Sequence, residues 1–305
     1  MSFASMKERG SSIDKLLSAA EKMESAPKSY GDDRYWKPTR DKAGNALHII
    51  RFLPEPEGER LPWVRYWDHG FQNPKTNLWY IEKSLTTLEQ NDPVSEYNSM
   101  LWNSGGKDSP QRRQASAQKR RLKYVSNIYV IKDGVNPENN GKVFLYQYGA
   151  KIHEKLQEAM KPKFEDETPI NPFDMYKGAD FKMKISTIDG GDGRKMPNYD
   201  RSEFSDPAPL ADDETMEAIY NQMHSLEAII APSEFKSYEE LKARLDAVLG
   251  LGQNFTAQQE HDLSLTADTA PMKSVEPVSE PELDNSVDDN DDDTMSYFSK
   301  LANED

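Results

Sequence analysis

Between residues 107 and 149 the chain passes from a run of cations into two β-branched, tyrosine-bearing stretches separated by a turn. No other feature narrows the possible folds as much. Lys119, Arg120, Arg121, Leu122 and Lys123 lead straight into Tyr124-Val125-Ser126-Asn127-Ile128-Tyr129-Val130-Ile131. Residues 133–141, rich in Gly, Pro and Asn, separate this from Val143-Phe144-Leu145-Tyr146-Gln147-Tyr148. Such runs, bounded by turn residues, predict a strand pair. Similar runs recur at 47–53, stopped by Pro54, and at 63–67, 78–81 and 181–188, and a helix is predicted over 151–160. Short strands with turns between them suit a small barrel or sandwich, such as an OB-fold.

The pattern then turns helical. Met216, Ile219, Tyr220, Met223, Leu226 and Ile230 mark one predicted helix face. Tyr238, Leu241, Leu245 and Val248 mark another, opened by the capping box Ser237-x-x-Glu240 and ended by Gly250 and Gly252.

Charge divides the 305 residues further. Residues 251–305 carry 14 Asp or Glu against two Lys, which accounts for -12 of the formal net charge of -15. This low-complexity tail, with its block at residues 288–293, is expected to be a disordered interaction arm. Tyr297, Phe298 and Leu301 are its candidate apolar anchors for partners. At the other end, Ile13, Leu16, Leu17, Ala20 and Met23 recur at helical spacing. One short amphipathic helix must pack on something else. The expected organisation is an arm at 1–29, a core at 30–250 and a tail at 251–305. No signal peptide and no membrane span is expected.

Residues 107–123 hold seven cations (Lys107, Arg112, Arg113, Lys119, Arg120, Arg121 and Lys123) and one acid, Asp108. A solvated loop would account for the cations alone. The flanking Tyr124, Tyr129, Tyr146 and Tyr148 favour an unpaired nucleic-acid strand, because cations neutralise phosphates while aromatic faces stack on bases. Side chains alternate along a strand, so some of these tyrosines belong to the core, and the sequence leaves open which face is covered. Chemistry of other kinds has little support. None of the five histidines sits in a catalytic motif, so no enzyme is expected. With no cysteine there is no thiolate ligand or nucleophile. The acidic block lacks the glycine and glutamate of a calcium loop.

Several stretches, in their joint order and spacing, resemble the single-stranded DNA-binding, helix-destabilising proteins of T4-like bacteriophages. They are Asp41-Lys42-Ala43-Gly44-Asn45, Ile50-Arg51-Phe52-Leu53-Pro54, His69-Gly70-Phe71, Trp79-Tyr80-Ile81-Glu82, the Pro137 to Phe144 segment and Asn198-Tyr199-Asp200. The resemblance implies an α+β chain with an OB-fold-like five-stranded β-barrel core, appended helices and a subdomain near 69–106. It also implies a cooperative N-terminal arm and an acidic C-terminal tail. The implied activity is sequence-independent, cooperative coating of single-stranded DNA during phage replication, recombination and repair, in the cytoplasm of the infected host. The protein would self-associate along the strand, and its tail would recruit partner proteins.

The implied DNA-binding residues are Lys119, Arg120, Arg121, Lys123, Tyr124, Tyr146, Tyr148, Tyr199 and Trp102, joined by Arg112 and Arg113 from the basic stretch. The implied cooperativity residues are Lys7, Arg9, Ser11 and Ser12. The family holds zinc with one histidine and three cysteines. His69 matches the histidine, but Ser84, Asp92 and Ser95 stand where the thiolates would be, so no structural zinc and no other cofactor is expected. Two other readings remain: an acidic adaptor or scaffold whose OB core does not bind DNA, or single-stranded RNA binding by the same stacking chemistry.

Overall fold

The computed structural model describes residues 32–164, 166–190 and 195–251. It separates two compact units, residues 1–34 and 35–305. Every described strand and helix belongs to the second unit. The expected arm and tail, with Lys7, Arg9, Ser11, Ser12, Tyr297, Phe298 and Leu301, lie outside the described residues.

The described body is a mixed α+β structure: nine strands in one sheet, and five α-helices. The strands are β1 (Tyr35–Trp36), β2 (Ala46–Phe52), β3 (Val64–Gln72), β4 (Trp79–Lys83), β5 (Arg121–Asp133), β6 (Val143–Tyr148), β7 (Phe181–Asp189), β8 (Lys195–Asn198) and β9 (Glu203–Phe204). The helices are α1 (Pro93–Ser104), α2 (Pro110–Ala117), α3 (Ala150–Met160), α4 (Asp213–Tyr220) and α5 (Tyr238–Leu249). All strand pairs are antiparallel except β1 with β6.

Strand β5 organises the sheet. β6 bonds to it from Tyr124↔Tyr148 to Tyr129↔Val143. That stretch overlaps the ladder with β3 at Tyr124 and Val125 and the ladder with β2 at Ile128 and Tyr129. A strand has only two edges, so β3 and β2 share the edge opposite β6, one after the other. Leu53 N–H donates to Asn127 O (3.0 Å) where one gives way to the other. β2 continues to β7, which carries β8 and β9, while β3 continues to β4. The sheet therefore forks and stays open, which corrects the expected closed five-stranded barrel. Among the described residues no ladder returns from β4 or β8 to β1.

Two apolar cores follow the fork. Trp36, Ile50, Phe52, Ile128, Tyr146, Tyr148, Leu156, Phe181 and Met183 fill the first, capped by α3. Phe71, Tyr80, Leu85, Val94, Leu241, Leu245 and Val248 fill the second, joining the β3–β4 hairpin to α1 and α5. α5 begins as its sequence predicts: the Ser237 hydroxyl accepts from Glu240 N–H, the Glu240 carboxylate accepts from Ser237 N–H, and Gly250 ends it at φ 69°. The helix face predicted across 216–230 is instead broken after Tyr220. Asn127 bonds both His224 N–H and His224 O (2.9 and 2.8 Å), and Glu59 accepts from Leu226 N–H (2.9 Å). These long-range bonds take backbone groups that a continuous helix would pair internally. Asn127 is fully buried, so an unsatisfied amide there would be costly.

Candidate nucleic-acid interface

The sequence reading assigns no helix to residues 93–117, yet α1 and α2 lie there, packed on each other. Both start with an acceptor followed by proline at the first helical position. Asp92 accepts from Val94 and Ser95 N–H, and Ser109 accepts from Arg112 N–H. Those two dipeptides, Asp92-Pro93 and Ser109-Pro110, were the available signal. Arg112 and Arg113 of the basic stretch thus lie on α2, and the chain reaches β5 through Gln118, Lys119 and Arg120.

Two tryptophans carry guanidinium groups. Arg112 lies with its Cζ 4.7 Å from the Trp102 ring centroid, and its Nε donates to Trp102 O (3.2 Å). Arg120 lies with its Cζ 4.4 Å from the Trp67 centroid. Both indoles are half-buried, while Lys119, Arg113 and Lys107 are exposed. Cation–π contact at such sites is worth about 0.5–2 kcal/mol and holds the guanidinium plane against the ring. Each pair offers an aromatic surface beside a positive charge.

The β3–β5 register separates the remaining groups by face. Tyr66 opposes Lys123 and Asp68 opposes Arg121 on one face, while Arg65 opposes Tyr124 and Trp67 opposes Leu122 on the other. Burial pushes the Asp68 carboxyl up, and Lys123, then Arg121 and His69, pull it back only in part. Lys123 and Arg121 are therefore half-buried beside a carboxylate, on the side packed by Val64, Val125 and Leu145. Arg65 is exposed on the Trp67 side. Trp67 and Arg65 escape the sequence reading, although the alternation of Val64 and Tyr66 with Arg65 and Trp67 was there to be read.

The tyrosines named from the sequence lie in or against the first core. Tyr146 and Tyr148 are each 3 % exposed and Tyr124 is 9 % exposed. Tyr146 packs edge-on against Trp36 (5.3 Å), and the Tyr148 hydroxyl is 2.9 Å from Ser126 Oγ. Burial pushes the Tyr148 phenol up. Tyr124 is stacked 3.8 Å from the His153 ring, 10° from parallel, with Tyr148 beside both at 5.7 and 6.4 Å. Burial, then Arg65, pushes the His153 imidazole down. Register puts Tyr124, Tyr146 and Tyr148 on one face of the sheet, and α3 with the first core covers it. In this arrangement none of the three presents an open ring for a base. Tyr199, on the turn after β8, is half-buried against the same core, beside the Lys155–Asp200 O bond (3.1 Å).

At the aligned metal positions the side chains bond to one another. His69 Nε2 is 3.1 Å from Asp92 Oδ1, and Ser84 Oγ donates to Asp92 Oδ2 (3.0 Å). Leu85, Val94 and Ser95 N–H groups complete the carboxylate's partners. Burial alone would raise the Asp92 pKa, but these bonds, led by that from His69, hold it at about 2. Nδ1 of His69 faces Gln118 O at 3.0 Å. One imidazole with both nitrogens engaged, one fully bonded carboxylate and hydroxyls do not fit a tetrahedral zinc site of N and S ligands. Among the described residues no group of three or more His, Asp or Glu could hold a metal ion.

Residues 44–249 match the family described as gp32 DNA binding protein like. The chain is 36% identical over 227 residues to a single-stranded DNA-binding protein of Enterobacteria phage T4, covering 72% of this chain and 71% of that one. It is 35% identical over 227 residues to the protein of the same name from Enterobacteria phage T2, with the same coverage. A third, from Escherichia phage SV14, is 38% identical over 81 residues, covering 25% of this chain and 70% of the relative.

Proposed function

Because the chain belongs to the family of gp32-like DNA-binding proteins, we propose that it coats single-stranded DNA without regard to sequence. One observation carries the reading: within and just after α2, two arginines lie against two half-buried indoles, Arg112 on Trp102 and Arg120 on Trp67. Exposed cations at Lys107, Arg113 and Lys119 continue the positive surface. Arginine and aromatic faces together are what single strands use, phosphates meeting charge and bases meeting rings. The body therefore binds as a non-catalytic platform. The stacking role passes from Tyr124, Tyr146 and Tyr148 to Trp67 and Trp102.

The rest of the reading follows the relatives' name and the sequence. The arm with Lys7, Arg9, Ser11 and Ser12 links neighbouring copies along the strand. The acidic tail with Tyr297, Phe298 and Leu301 recruits replication, recombination and repair proteins in the phage-infected host. No structural metal takes part, since both His69 ring nitrogens and both Asp92 oxygens are already engaged in hydrogen bonds. No described helix is long and apolar enough to cross a membrane.

Titrating labelled oligo(dT), oligo(U) and duplex DNA tests the proposal. Oligo(dT) should bind more tightly than duplex, with log K falling as log salt rises. Equal affinity for duplex and single strand would sink it, and tighter binding of oligo(U) would move the function to RNA.

A further inference from the structure

His69 stands buried in β3 between two helix ends, and both its ring nitrogens face acceptors. Nδ1 is 3.0 Å from Gln118 O and Nε2 is 3.1 Å from Asp92 Oδ1. A carbonyl oxygen only accepts, so Nδ1 carries a proton. Nε2 faces the Asp92 carboxylate, which also accepts from Ser84 Oγ and from the Leu85, Val94 and Ser95 N–H groups. The pair is buried, each residue 1 % exposed. Asp92 is the N-cap of α1, and Gln118 is the C-cap of α2. The ring therefore ties the start of one helix to the end of the next.

The Gln118 carbonyl takes a second bond from outside its helix, from Asn98 Nδ2 on α1 (3.1 Å). Carbonyls at a helix C-terminus have no partner within the helix and often meet water. This one is held by two side chains, and Gln118 itself is 5 % exposed. The residues that come next are Lys119, Arg120 and Arg121. Consecutive Cα atoms are about 3.8 Å apart, so the position of Gln118 bounds that of Arg120 two residues on.

We propose that His69, braced by Asp92, and Asn98 are positioning residues. Through the Gln118 carbonyl they fix where the chain leaves α2, and so set Arg120 on Trp67 and aim the cations around it at a nucleic-acid backbone. The proposal rests on the reading that a strand is bound there. It gives a function to a cluster that lies where the resemblance implied a metal. Buried hydrogen bonds fix the geometry in the metal's place.

Two substitutions separate the two legs of the ring. His69→Asn puts an amide nitrogen where Nδ1 stood and keeps the bond to Gln118. His69→Gln puts one where Nε2 stood and keeps the bond to Asp92. Each keeps one leg of the ring and loses the other, so their melting temperatures should fall alike. Binding of a labelled dT oligonucleotide is then read across a salt series. His69→Gln and Asn98→Ala should each weaken binding about tenfold and lower the slope of log K against log salt by about 0.7, one phosphate contact on a single strand. His69→Asn should stay within about twofold of the wild type. Equal losses in His69→Asn and His69→Gln, tracking only their melting temperatures, overturn the proposal. If neither His69 variant folds, a folded Asn98→Ala with wild-type affinity and slope overturns it. A wild-type protein that fails to bind oligo(dT) removes the binding reading itself, a result distinct from either.

Discussion

Trp67→Ala and Arg120→Ala should weaken single-strand binding in ways that salt tells apart. The Arg120 guanidinium lies 4.4 Å from the Trp67 ring centroid, so the two side chains form one unit. Removing the indole forfeits a stacked base, roughly 1–3 kcal/mol, or about 5- to 150-fold in affinity. Stacking releases no counterions, so that deficit should be similar at 50 and 200 mM salt. Removing the guanidinium forfeits one phosphate contact, about 0.7 in the slope of log K against log salt. Over a fourfold rise in salt the wild type therefore loses about 2.6-fold more than Arg120→Ala, and their gap narrows by that factor. Because the groups touch, the double variant should lose less than the sum of the two, by about 0.5–2 kcal/mol. Trp67→Phe should recover much of the loss. The assay is anisotropy of a labelled oligo(dT) at both salt concentrations, with folding checked by near-UV circular dichroism. A folded Trp67→Ala that binds as the wild type does would refute the placement of the base at this indole, whatever Arg120 does.

Three further outcomes are expected. The Asp92 carboxyl sits at about 2 in the folded protein against an ordinary 3.8, so its contribution to stability is present above about pH 4 and is lost as pH falls through 2. Acid-unfolding curves should show Asp92→Asn flattening that part of the profile, and an unchanged profile would mean that the carboxylate is not held as described. Chelator should leave the melting temperature where it was, and elemental analysis finding one zinc per chain would contradict the bonding around His69. Deleting residues 251–305 should tighten oligo(dT) binding most at low salt, because a tethered arm of net charge -12 competes for the same cations; equal affinity with and without the tail would leave it a docking arm alone.

Much of the local structure was determined by the sequence, because it depends on groups a few residues apart. The Ser237 and Glu240 capping box and the Gly250 stop define α5, and the runs on either side of residues 133–141 define β5 and β6. Asp92-Pro93 and Ser109-Pro110 equally encode the starts of α1 and α2. Two-residue alternation even puts Tyr146 and Tyr148 on one face, and the basic composition of residues 107–123 points to a polyanion. Which face of the sheet α3 would cover is not a local property. It depends on the packing of Ile152, His153 and Leu156 against β5 and β6, and that packing buries Tyr124, Tyr146 and Tyr148. The fork in the sheet depends on β3 and β2 arriving in turn along one edge of β5, across separations that no sequence window spans. The pairing of Arg120 with Trp67 and the bonds from His69 and Asn98 to Gln118 arise the same way. Residue type fixes what each of these groups can bond to, but only the folded chain decides which partner comes within reach.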